Sequence, residues 1–170
     1  SVFEVPANPH WVAKLYNASH QPDAKKQAKL RYMAAIADEE LVSYAAWPQE
    51  TLHKTPNGAV VGFLMPKVCD RAPIHMLYSP AYRRQNYPDR AWDFLLFAAR
   101  NTATAFAAIH RHGHVLGDVN QGNVLVGADS KVTKRWPSGR RFRLRSSQLR
   151  RSQACRVSPG ACRFITARTA

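Results

Sequence analysis

The stretch Asp118-Val119-Asn120-Gln121-Gly122-Asn123 links a carboxylate to an amide across a short loop and runs directly into an apolar strand, Val124-Leu125-Val126. Phosphoryl transfer to a hydroxyl needs such a pair. A carboxylate must sit beside the acceptor oxygen, and an amide oxygen a loop's width away can hold a metal that bridges the phosphates. The same residues also suit an Asx-rich turn between helix and strand, because Asp and Asn side chains hydrogen-bond their own backbone two residues on. A second concentration of chemistry, His110, His112 and His114 with Cys69 or the later cysteines, invites a metal reading. Its spacing fits neither common zinc pattern, and histidines at the end of a helix also favour the helix dipole.

These groups need elements to aim them. Residues 2–5 (VFEV) and 11–16 (WVAKLY) are apolar runs either side of PANPH, whose two prolines and Asn predict the turn of an antiparallel hairpin. From Asp23, a suitable N-cap, to about Leu41 the residues are good helix formers, with Leu30, Met33, Ala34 and Ala37 on one face. Between Thr51 and Val68 a turn at TPNG precedes AVVGFLMPKV, a buried-strand pattern. After Pro73 a polar, aromatic and proline-punctuated stretch reads as a connection. It leads to the longest helix, expected to start at or beside Asp89 and to end at Gly113. Trp92, Leu95, Leu96, Ala99, Ala103, Phe106 and Ile109 form the stripe expected to face its core. The loop, the strand VLV, a turn GADS and the start of a strand KVT follow.

Composition sets the bounds. A chain of 170 residues at 45% apolar is long enough for one globular domain. The formal charge of +14 would raise nucleic acid as a partner. However, eleven of the 25 Lys and Arg fall in residues 134–170, where there is no acid, leaving fourteen basic against eleven acidic residues before them. Residues 134–170 show no sustained period and read as a disordered-like Arg/Ser-rich tail, which would bind nucleic acid nonspecifically by neutralising phosphates. Three scattered cysteines do not make a disulfide framework, so a reducing cytoplasm is expected. No apolar run approaches the length of a membrane span, and the first residues carry no targeting signal. The chain opens without Met on a strand-like segment, so upstream sequence is expected.

With the loop GDVNQGN, the chain resembles the protein kinase family, and within it bacterial kinase-like proteins that carry this loop in place of H-R-D-x-K-x-x-N. Trp11-Val12-Ala13-Lys14 matches V-A-I-K on the third strand of the small lobe. Phe63-Leu64-Met65-Pro66-Lys67-Val68 matches the strand entering the hinge, and Ser1-Val2 matches the end of a glycine-rich loop. The resemblance covers residues 1–133. It implies an α+β, two-lobed kinase-like fold, incomplete in this chain, with small lobe and hinge over 1–68 and the start of the large lobe over 69–133. By the same resemblance the chain is an ATP-binding Ser/Thr-type protein kinase-like domain using Mg²⁺, with an unknown protein substrate. Asp118 is then the catalytic base, Asn123 a Mg²⁺ ligand, and Lys14 the holder of the α and β phosphates. Val2, Val12 and Leu125 would sandwich the adenine, with Met65 as gatekeeper. The backbone of Pro66, Lys67 and Val68 would meet its edge, the donor coming from a neighbour of Pro66 such as Val68, since proline has no N–H.

The departures from the family are as informative. Leu116 and Gly117 replace the His and Arg before the catalytic Asp, so a phosphorylated activation loop is not the expected switch. Asn120 replaces the Lys two residues after it. The helix after Lys14 lacks its glutamate, with Glu39 and Glu40 only near its expected end. No Asp or Glu follows Asp129, so the D-F-G carboxylate is absent from residues 130–170. A pseudokinase that holds nucleotide or scaffolds partners is the alternative these departures favour. The abrupt change near Thr133 is what an out-of-frame reading of a GC-rich gene would produce.

Overall fold

A computed structural model describes residues 1–56, 58–117 and 119–135, together with the backbone of two short strands at 142–144 and 162–164. Asp118 and the rest of the basic segment after Arg135, on which the nucleic-acid reading rests, lie outside the described residues. The chain is mixed α and β, with antiparallel sheets and helices, and divides into two units. One is built on Ser1–Asp38 and Trp47–Lys67, the other on Glu39–Ala46 and Val68–Arg145.

In the first unit, β1 (Val2–Glu4) and β2 (Trp11–Leu15) form the expected hairpin, with Asn8 N–H donating to Val5 O and Trp11 N–H to Asn8 O across the turn. α1 (Ala24–Ala35) starts on the expected cap, Asp23 Oδ1 accepting from Lys26 N at 2.7 Å. β3 (Glu50–His53) and β4 (Val60–Pro66) pair antiparallel, and β4 also pairs with β2, giving the order β1-β2-β4-β3. Leu30 and Met33 of α1 are buried, as are Trp47, Leu52, Val60 and Phe63. The Trp47 indole donates to Met33 O at 2.9 Å, so its one polar atom is satisfied where it is buried.

α1 is shorter than the residue composition predicts. It ends at Ala35, and Leu41 instead belongs to a separate helix of the second unit, α2 (Glu39–Tyr44), where it is fully buried. Ala37 lies in the link between the two. Glu39 and Glu40 stand in the first turn of α2, where the helix dipole favours negative charge and a new start is stabilised.

The second unit continues with β5 (Arg71–Pro73), a 3₁₀ turn over Ile74–Tyr78 and α3 (Pro80–Asn86). α3 lies within the stretch expected to be a connection. Its start signal is local: Ser79 Oγ accepts from Tyr82 N at 3.2 Å, and Pro80 occupies the first helical position. α4 (Trp92–Arg111) begins after Ala91 with no side-chain cap, so Asp89 does not start it. It ends at Gly113, whose φ of 78° suits glycine. β6 (His114–Leu116) follows, then β7 (Val124–Gly127) and β8 (Val132–Lys134), which pair as the hairpin expected from VLV-GADS-KVT, with β5 on the other side of β7.

The face of α4 is a correction. Phe94, Ala98, Ala105, Ala108 and Ile109 are buried, whereas Trp92 is 69% and Leu96 55% exposed. Of the expected stripe only Ile109 is fully buried, with Leu95 and Phe106 partly so against the cluster of Leu77, Phe94, Ala98, Val124, Val126 and Val132. α4 is apolar on more than one side, so periodicity alone offers two stripes. The alanine-rich one lets the backbone of a neighbouring element approach more closely. β9 (Phe142–Leu144) pairs with β6, and β10 (Cys162–Phe164) adds in parallel to β3. Among the described residues no helix is long and apolar enough to cross a membrane.

Candidate functional site

The first unit brings four of the expected nucleotide-binding residues, Val2, Val12, Lys14 and Met65, onto one sheet face. Register pairs Val2 with Lys14, Val12 with Met65, and Lys14 with Phe63. Side chains alternate along a strand, so Val2, Val12, Lys14, Phe63 and Met65 share a face. Val12 and Met65 are buried, while Val2 on the outer strand is 55% exposed. Gly62 is what allows β4 to lie this close to β2: a Cβ there would stand 2.4 Å from Lys14 O. Pro66 closes β4 opposite Trp11. Lys67 then donates its N–H to His10 O at 2.8 Å and its ammonium to Glu4 Oε1 at 2.6 Å.

Lys14 is the unusual member of this face. Only 8% of it is exposed, and its ammonium sits 5.9 Å from the Phe63 ring centroid. Burial, with the Lys26 charge added, pushes its pKa down to about 8. The Phe63 and Tyr16 rings lie 6.3 Å apart, and Lys26 Nζ stands 4.2 Å over the Tyr16 ring. Tyr16 is buried enough to push its phenol up to about 12, so it is neutral at any physiological pH. Lys29, one helical turn after Lys26, is also pushed down to about 8, again by burial and then by Lys26. α1 contains no acidic residue. Sequence reasoning passed over Lys26 and Lys29. Their signal was present as the i, i+3 spacing in KKQAK, which places both ammoniums on one side of the helix.

In the second unit the loop is organised by Asn120, which stands where kinases of the resembled family carry a lysine. Its Oδ1 accepts from Gly122 N at 2.9 Å and from Asn123 N at 3.1 Å, and its carbonyl accepts again from Asn123 N. This is the Asx turn that the bland reading expects, and it fixes the backbone of Asn123. Asn123 O in turn accepts from Arg135 N at 2.7 Å. Leu125, on β7, is buried. Val68, directly after Lys67, begins the longer segment of the second unit. Glu40 ion-pairs with Arg111 and lies 3.8 Å from His112 Nδ1.

The donor set for a metal is thin. Asn123 is the one described residue assigned to Mg²⁺, and no group of three His, Cys, Asp or Glu side chains that could hold a metal gathers among the described residues.

No known family profile matches the chain. It is 60% identical over 121 residues to proteins named protein kinase YegI from Escherichia coli O157:H7 and from Escherichia coli strain K12, an alignment covering 71% of the chain and 18% of each relative. The chain thus spans less than a fifth of the length of these curated relatives. Identity at this level supports a kinase-like family for the chain.

Proposed function

We propose that the chain is an ATP-binding, protein-kinase-like domain of the Ser/Thr type, with β1, β2, β4 and α1 as its small-lobe elements. The observation that carries this reading is Lys14, an ammonium kept on a largely apolar sheet face with Val2, Val12 and Met65. An ammonium at this position of β2 is where the resembled family holds the α and β phosphates of a nucleotide. The apolar side chains beside it offer a platform for the adenine. Pro66 has no N–H and that of Lys67 is donated to His10, so the adenine-edge donor in this reading is Val68.

By the family resemblance, Leu125 contributes to the adenine surface, Asp118 accepts the proton of the acceptor hydroxyl, and Asn123 serves the metal. Magnesium, when bound, would neutralise charge on the phosphates. Asn120 holds Asn123 in place through the two amides it caps. A second reading, a pseudokinase that holds nucleotide without transferring phosphate, is favoured by the acid-free α1 and by the absence of acidic residues after Asp129.

The test is thermal denaturation of the 170-residue chain with and without Mg·ATP, beside Lys14→Ala. ATP at about a hundred times its Kd adds about 2.7 kcal/mol, a rise in Tm of roughly 5–10 °C for a chain of this size. That rise should vanish in Lys14→Ala. A clean wild-type melt unmoved by saturating ATP would reject the proposal. Label transferred from γ-labelled ATP to an added protein would separate the kinase from the pseudokinase.

A further inference from the structure

The exposed side of α4 carries its large and its small residues at opposite ends. Trp92, Leu96, Ala99, Ala103, Ala107 and His110 are all exposed and follow one another at three- and four-residue steps, so they form a single stripe along nearly the whole helix. The apolar bulk lies in the first two turns, where Trp92 is 69% and Leu96 55% exposed. From there to His110 the stripe is alanine. Asp93 and Arg111, both exposed, stand about five turns apart along one flank of it, the acid in the first turn and the base in the last.

This face is complementary to itself reversed. With two copies of α4 antiparallel and the two-fold axis passing midway between Ala99 and Ala103, Leu96 of one copy meets Ala107 of the other, Ala99 meets Ala103, and Trp92 lies over His110. In the same register Asp93 faces Arg111 of the second copy, because in an antiparallel pair each flank meets its own equivalent. Arg111 also pairs with Glu40, and a guanidinium with five donors has capacity for a second carboxylate. In a parallel pair Trp92 would meet Trp92 and hold the alanines apart, and Asp93 and Arg111 would be separated by the length of the helix.

We infer that this face of α4 is an isologous docking surface for a second copy of the chain, packed antiparallel. The apolar side chains supply the attraction, and the alanines let the two helix axes approach closely. The exposed ion pairs contribute little to affinity and set the direction of pairing.

The experiment is sedimentation velocity over a concentration series of the full chain, beside Ala103→Trp, Ala107→Trp and Asp93→Lys, with a circular dichroism melt of each variant. The wild type should pass from monomer to dimer. An added indole at 103 or 107 fills the space the facing helix needs, so each should weaken the dimer by about 10-fold. Asp93→Lys should weaken it by about 3-fold. Unspecific apolar association predicts the opposite for the indoles, so equal or stronger association in either folded Trp variant would overturn the surface. A wild-type chain that stays monomeric throughout would also overturn it, leaving the face to a partner of different sequence. Direction has its own readout, which holds even if both Trp variants unfold. In chains whose three cysteines are replaced by serine, Leu96→Cys mixed with Ala107→Cys should oxidise to a covalent dimer faster than either variant alone. Faster bonding of Leu96→Cys to itself would overturn the antiparallel arrangement.

Discussion

At the scale of single residues, Lys14 and Lys29 dominate because each is an amine placed where an amine is least stable as a cation. Their folded-state pKa values of about 8 lie below the ordinary 10.5. Between those two pH values the unfolded chain binds more protons than the folded one, so stability rises as pH rises through that window and the protonated lysines are a standing cost below it. The chain should therefore melt at a higher temperature at pH 9.5 than at pH 7.5. Calorimetry on Lys14→Met and Lys29→Met separates this from relief of the overall positive charge, since each variant should flatten the slope by removing one titrating amine. A slope unchanged in both would mean that neither lysine is buried as described. Lys14 was legible in the sequence through V-A-K. The partial burial of Lys29 was not, because on a helix surface a lysine usually means a solvated face.

At the scale of elements, the strands and their turns could be read closely while the helices could not. β1, β2, β4, β7 and β8 appear where runs of Val, Leu and aromatic residues meet Pro, Asn and Gly punctuation, because two-residue alternation and turn chemistry are both local. α1 ends six residues before its expected limit: the residues after Ala35 favour helix by composition, so they read as one helix, yet Glu39 and Glu40 start a new one. α4 was misjudged in orientation because both its stripes are apolar. Gly62 shows how local sequence hides a packing constraint: glycine weakens a strand interior, yet a Cβ would meet Lys14 O at 2.4 Å and Leu15 Cδ2 at 2.7 Å. Gly62→Ala should thus destabilise by about 1–3 kcal/mol, although alanine is the better strand residue. Urea titration measures it. A neutral or stabilising result would show that β2 and β4 can separate without loss. Any nucleotide affinity should fall with it, since the strand that moves carries Lys14.

At the scale of the whole molecule, the chain joins a positive formal charge of +14 to an apolar helix face that is open to solvent. Trp92, Leu96 and Phe97 on α4 are 69%, 55% and 47% exposed, a cluster large enough to drive self-association. Charge opposes it. Repulsion between chains extends about 10 Å at 0.1 M salt and only about 3 Å at 1 M, whereas apolar attraction does not weaken with salt. Self-association should therefore increase with salt, the reverse of what a charge-paired interface would do. Replacing Trp92 and Leu96 together by Gln, a good helix former, should abolish that increase in sedimentation velocity while changing folding stability by no more than about 0.5 kcal/mol, as for other exposed substitutions. A loss of several kcal/mol would mean that this face is core, restoring the stripe the sequence pattern first pointed to. Association that persists in the double variant would instead shift the interface to the exposed Val2 and Phe3 of β1, an outer strand with hydrogen-bonding groups on its free edge.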